Sequence, residues 1–125
     1  GVVAIFLSLL LQGKAPVING DGRQTRDYVY VGDVVAANVA ALDAQFVGEI
    51  NIGTSIETDV VTIFQHLRRA VGSEIDARYG PAKPGEQRRS CIDAGRAAQV
   101  LGWRPTMAIT EGLRRTAAWY RDMTG

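Results

Sequence analysis

The chain opens on an apolar run from Val2 to Leu11, interrupted only by Ser8 and followed by Gln12-Gly13 and then Pro16. This predicts a buried helix over residues 2–12. Glycine just past the last turn and proline beyond it stop a helix. Pro16 to Ile18 reads as a short extended piece, and Asn19-Gly20-Asp21-Gly22 as a turn. Tyr28 to Val31 has the aromatic and β-branched composition of a strand. Asp33 reads as the N-cap of an alanine-rich helix, Val34 to Leu42, whose small side chains suit close packing on a sheet. Glu49 to Ile52 is predicted as the next strand. Thr58 is predicted to cap a helix from Asp59 to Val71, with apolar positions 60, 63, 64, 67 and 71 on one face.

Beyond it, Ala77 to Tyr79 reads as a strand, Lys83 to Arg89 as a charged loop, and Ser90 to Ile92 as extended. Asp93 is expected to cap a helix ending at Leu101, with Gly102 at its end and Pro105 preventing continuation. Thr110 is expected to cap a last helix carrying Leu113, Ala117 and Tyr120 on a common face. Helices alternating with short strands make the class α/β with a small mixed sheet.

Composition narrows the function only slightly. The 125 residues are one domain's worth of chain, with 14 basic and 13 acidic side chains interspersed and a net charge of +1. That balance gives no nucleic-acid stripe and no polybasic membrane patch. The opening apolar run falls short of the ~20 residues a membrane span requires and has no basic flank. A single cysteine, Cys91, allows no internal disulfide, which fits a reducing cytoplasm. Gly1 stands where a methionine would, and no cap precedes the first helix, so the sequence reads as the back half of something longer.

Two motifs mislead. Tyr79-Gly-Pro-Ala-Lys83 has the spacing of a catalytic tyrosine-lysine pair, but that pair needs a helix, and Gly80-Pro81 forbids one. Gly20-Asp-Gly22 resembles the start of a dinucleotide fingerprint, yet Thr25 replaces the third glycine and Asp21 would repel a pyrophosphate. The lone histidine, His66, lies off the apolar face of its helix and reads as a solvated surface residue. With Cys91 the only thiol, neither a nucleophilic triad nor a metal cluster of the usual ligands can be assembled. Two anion-binding candidates remain. Arg26, at the mouth of the apolar Tyr28–Val31 segment, offers a planar fork to phosphate oxygens or a salt bridge to Asp27 or Asp33. The loop from Lys83 to Arg89 joins cations to Glu86, whose carboxylate can accept from ribose hydroxyls, or it is simply a solvated loop.

In order and spacing, GVVAIF, GDGRQTRDYVYVGDVV, NIGTS, KPGEQRRSCID, LGWRP and TAAWYR resemble the carboxy-terminal, substrate-binding region of an extended short-chain dehydrogenase/reductase acting on nucleotide sugars. The likeness is to UDP-glucose 4-epimerases of the NAD-dependent epimerase/dehydratase family and covers nearly the whole chain. It implies that Arg26 contacts the substrate's pyrophosphate. Lys83 falls where the family usually has a second phosphate-binding arginine, so a point charge replaces a bidentate fork. Glu86 matches the acid on the nucleotide ribose. Val17, Ile18 and Asn19 match the segment along the uracil, with Asn19 in place of an aromatic residue. Ser90 stands where a bulky tyrosine narrows the sugar pocket in similar enzymes, which implies room for N-acetylated sugars.

The family's NAD fingerprint and helical Tyr-x-x-x-Lys pair belong to an amino-terminal Rossmann half that this sequence lacks. In the parent, the resemblance implies, that tyrosine takes the 4-hydroxyl proton while NAD accepts hydride from C4. The keto sugar then turns and is reduced on its other face. This chain alone is therefore expected to bind a UDP-sugar without NAD, to be inactive, and to self-associate through surface left bare. A 4,6-dehydratase, a UDP-glucuronate decarboxylase and a non-catalytic nucleotide-sugar module are the alternatives.

Overall fold

A computed structural model describes residues 1–43, 52–85, 88–89 and 95–124. Five helices and two small sheets make up these residues, and the α/β class holds. Helix α1 (Val2–Leu11) presents Phe6, Leu7 and Leu10 inward and leaves Ile5 and Ser8 exposed, so one face is buried rather than the whole helix. It packs against α3 (Val60–Val71), which packs in turn against α5 (Ile109–Thr124). The core between them is built from Leu7, Ile63, Leu67, Phe64 and Leu113, with the Phe6 and Phe64 rings edge to face at 6.0 Å. Such edge-to-face pairing adds to plain area burial.

The apolar face of α3 is the one its 3.6-residue spacing predicts, with Val60, Ile63, Phe64 and Leu67 buried. Its cap is Asp59 rather than Thr58: Asp59 has extended backbone and accepts the Thr62 N–H at 2.7 Å. Gly72, in the left-handed conformation at φ 69°, ends the helix. His66 on this helix is half-buried rather than fully solvated.

The sheet splits into two pairs. Strand β1 (Val17–Asn19) runs parallel to β4 (Arg78–Gly80), with Asn19 opposite Gly80. Strand β2 (Thr25–Arg26) runs antiparallel to β3 (Thr58–Asp59), with Arg26 opposite Thr58. Between β1 and β2 the chain reverses through Gly20 and Gly22, both at positive φ. At Gly22, with φ +72°, an added Cβ would lie 2.5 Å from a Val61 methyl and 2.7 Å from an Ile18 methyl. Gly22→Ala is therefore expected to lower unfolding free energy by about 2–4 kcal/mol, from left-handed strain plus overpacking. A denaturant midpoint within error of the wild type would contradict this.

Residues 28–31 are not a strand. Tyr28 and Val29 are connecting chain, and helix α2 (Val31–Asp43) has already begun at Val31. Asp33 lies inside the first turn of α2 and does not cap it; the Asp33 and Val34 N–H groups both donate to the Tyr30 carbonyl. Nor does α2 lie on a sheet among the described residues. It packs on α4 (Gly95–Leu101), where Ala37, Ala97 and Trp103 form a second small core. Thr110 is likewise inside α5, which starts at Ile109. Residues 49–51 of the predicted strand, the predicted cap Asp93 and the predicted extended piece 90–92 lie outside the described residues.

Candidate functional site

The predicted site residues lie on three segments that the fold gathers. The β1–β4 register sets Asn19 beside Gly80, from which the chain runs on to Lys83, and Ala82 approaches the turn at Gly20. The same chain then returns to β2, where the Thr25 N–H donates to the Arg88 carbonyl at 2.8 Å. The end of β1, the Thr25–Arg26 strand and residues 81–85 and 88–89 thus border one rim. Along β1 the side chains alternate: Val17 and Asn19 are exposed, while Ile18 is buried in the main core. Any contact of Ile18 with a ligand is consequently through its backbone. Lys83 is exposed. Glu86 and Ser90 lie outside the described residues.

Arg26 is half-buried and turns its guanidinium back onto its own strand, donating to the Thr25 carbonyl at 2.6 Å. Asp27 reaches the NIGTS segment. Its carboxylate accepts from the Thr54 hydroxyl at 2.6 Å and from the Thr54 and Ser55 N–H groups, each at 2.9 Å at its shortest. Asp33, the other carboxylate considered for Arg26, is committed to the 106–107 segment.

Three further ion pairs surround this rim, and sequence spacing gave no hint of them. Arg88 forks onto Asp21 at 2.8 and 2.9 Å, across 67 residues. Arg89 forks onto Glu57 at 2.9 and 2.7 Å, and Glu57 also accepts from the Thr25 hydroxyl at 3.1 Å. Arg23 meets Asp59 at 3.3 Å. The Arg88 fork holds the Asp21 carboxyl well below the usual range, and Asp21 in turn raises Arg88. The Arg89 fork also lowers the Glu57 pKa, against a smaller opposing effect of burial. Bidentate guanidinium–carboxylate pairs are the strongest of the exposed kind, though exposure still limits what they add to stability.

Chemically, this rim offers the Arg26 guanidinium and the exposed Lys83 ammonium, charges of the kind that suit an anion. Gly20-Asp21-Gly22 leads into a strand rather than a helix, with Asp21 at its tip, so it does not fit the pyrophosphate of a dinucleotide. Tyr79 lies in β4 and Lys83 in the loop beyond, so no helix joins them. A separate apolar groove of about 530 Å³ opens between Val3, Tyr28, Tyr30, Met107, Ile109 and Trp119, and none of the described predicted site residues lines it. No described helix is long and apolar enough to cross a membrane.

The arrangement is a small α/β unit whose rim gathers paired cations and carboxylates. The family model described as GDP-mannose 4,6 dehydratase matches residues 2–116, and the chain belongs to that family, matching the carboxy-terminal portion of extended short-chain dehydrogenase/reductases. A UDP-glucose 4-epimerase of Mycolicibacterium smegmatis is 42% identical over 98% of this chain and 39% of its own length. The crystal structure of the Thermotoga maritima UDP-glucose 4-epimerase with UDP-glucose is 39% identical, with a TM-score of 0.96 over 100% of this chain and 40% of that one. A Methanobrevibacter ruminantium UDP-N-acetylglucosamine 4-epimerase, in complex with UDP-N-acetylmuramic acid, is 29% identical with a TM-score of 0.92 over 98% of this chain and 40% of its own. Several other solved relatives hold NAD. The chain therefore spans about 40% of the length of these relatives.

Proposed function

We propose that this chain is the substrate-binding part of a cytoplasmic UDP-sugar 4-epimerase that interconverts UDP-glucose and UDP-galactose. The observation that carries this is the Thr25–Arg88 backbone bond, which together with the β1–β4 register draws Asn19, Arg26 and the loop from Lys83 onto one rim. Arg26 and Lys83 supply charge for the diphosphate, Val17 to Asn19 run along the base, and Glu86 takes the ribose hydroxyls. NAD, bound by an amino-terminal Rossmann half of the longer protein, supplies hydride chemistry; the part of this chain is to hold the UDP end while the sugar turns. Calorimetric titration of the chain with UDP tests the reading, and no heat of binding would end it. The family model's own description favours a second reading, a nucleotide-sugar 4,6-dehydratase. Product analysis of the longer protein separates the two, since a dehydratase yields a stable 4-keto-6-deoxy sugar.

Ser90 is proposed to leave space beside the sugar's C2, so that the longer protein accepts UDP-N-acetylglucosamine as well as UDP-glucose. Ser90→Tyr is expected to abolish turnover of the N-acetylated sugar while largely sparing UDP-glucose, and the 125-residue chain alone is expected to turn over neither. Wild-type protein active on UDP-glucose with no N-acetylhexosamine turnover would contradict the assignment.

Helix α2 carries Val31, Val35, Val39 and Leu42 at helical spacing, all more than half exposed. An apolar stripe of this kind is seldom left bare. In the longer protein we propose that the Rossmann half covers it, and in the chain alone that it drives self-association. Val35→Asp with Val39→Asp is expected to shift the chain to monomer in sedimentation runs, and a wild type monomeric at high concentration would contradict this.

A further inference from the structure

Thr25 is a junction. Its N–H donates to the Arg88 carbonyl at 2.8 Å, its hydroxyl donates to Glu57 at 3.1 Å, and its carbonyl accepts the Arg26 guanidinium at 2.6 Å. The first two partners belong to the neighbouring forks, Arg88 on Asp21 and Arg89 on Glu57. We propose that these two forks form a clasp that, through Thr25, positions the Arg26 guanidinium for the diphosphate. Asp21, Glu57, Arg88 and Arg89 are then positioning residues of the site. This rests on the nucleotide-sugar reading above and deepens it.

Three considerations carry it. Every described residue between β4 and Arg89 is exposed, so the loop has little core to hold it. Arg88 and Arg89 are adjacent, yet they grip carboxylates on different segments, the turn after β1 and the residue before β3. Two planar forks on separate anchors remove the rotation that one would leave. The forks also place a guanidinium on each of two carboxylates that would otherwise repel an incoming diphosphate. Exposed pairs add little to global stability, so the role of the clasp lies in local geometry.

The Thr25 amide reports the clasp without ligand, and UDP reports its effect on the site. Arg88→Gln with Arg89→Gln is expected to speed hydrogen exchange at the Thr25 amide, read by NMR, and to weaken UDP binding about tenfold. Because that variant also removes two positive charges, charge-preserving swaps form the decisive arm. Asp21→Arg with Arg88→Asp, and separately Glu57→Arg with Arg89→Glu, are expected to retain Thr25 protection and bind UDP within about threefold of wild type. Unchanged UDP affinity in the double glutamine variant, or swaps as weak as that variant, would overturn the clasp while leaving the nucleotide-sugar reading intact. No UDP binding by wild type overturns that reading instead. The clasp is then judged by Thr25 exchange alone, and equal exchange in wild type and the glutamine variant sinks it.

Discussion

Arg26→Ala is expected to weaken UDP binding by about 30-fold or more, while uridine, which lacks phosphate, binds the variant and the wild type alike. Hydrogen bonds to charged groups contribute roughly 1.5–3 kcal/mol, and ~2 kcal/mol corresponds to about 30-fold. Arg26 is half-buried beside its own strand, so its charge acts in a less screened setting than an exposed lysine would find. Lys83 is exposed and presents a point charge, and Lys83→Ala is expected to cost less. Arg26→Lys separates fork from charge: if bidentate geometry matters, the lysine recovers only part of the loss. Titrations with UDP and uridine at fixed ionic strength read all of these. Equal UDP affinity in wild type and Arg26→Ala would place the diphosphate elsewhere and remove the physical basis for assigning this rim.

How far the sequence disclosed this depends on whether a signal is local. The apolar spacing of α3 placed its buried face correctly because helical periodicity sits within one segment. Gly13 and Gly102, both at positive φ, marked helix ends for the same reason. The Tyr28–Val31 segment misled because aromatic and β-branched residues mark half-buried positions, not strand backbone. Tyr28 packs on the main core and Val29 on the second one, so the segment alternates between two cores without pairing with a strand. The rim's ion pairs were invisible for the opposite reason. Asp21 and Arg88 are 67 residues apart, Glu57 and Arg89 are 32 apart, and nothing in interspersed charge says which will meet. Arg26 and the loop were singled out by residue chemistry and by resemblance. That they border one rim follows from a backbone bond and a strand register, which no composition encodes.

Asp33 shows the same ambiguity within one residue, and its expected effect on stability is large. A carboxylate that accepts backbone N–H groups looks alike in sequence whether the donors are its own helix or a distant loop. Here the donors are distant: the Thr106 and Met107 N–H groups on one oxygen at 3.1 and 3.0 Å, and the Thr106 hydroxyl on the other at 2.7 Å. The Asp33 carbonyl separately accepts the Trp103 indole N–H at 2.8 Å, so one residue joins α2 to the segment leading into α5. Asp33→Ala leaves those donors without their acceptor beside a residue only 5% exposed, and is expected to cost about 3 kcal/mol. Asp33→Asn is expected to cost nearer ~1 kcal/mol. Its amide oxygen can take the two N–H groups while its NH₂ donates to the Thr106 hydroxyl, which rotates to accept.

The pH dependence distinguishes the charge from the shape. Burial alone would raise the Asp33 pKa, but the Thr106 hydroxyl and the Met107 and Thr106 N–H groups outweigh it, so the folded-state value lies below 3.8. A depressed folded-state pKa adds stability that is fully present above the unfolded value. That stability fades as pH falls through the folded one. The gap between wild type and Asp33→Asn should therefore be constant near neutrality and narrow in acid below about pH 4. Urea unfolding followed by Trp103 fluorescence from neutral pH into acid measures it. A gap that persists undiminished in acid would mean that Asp33 acts through packing and not through its charge.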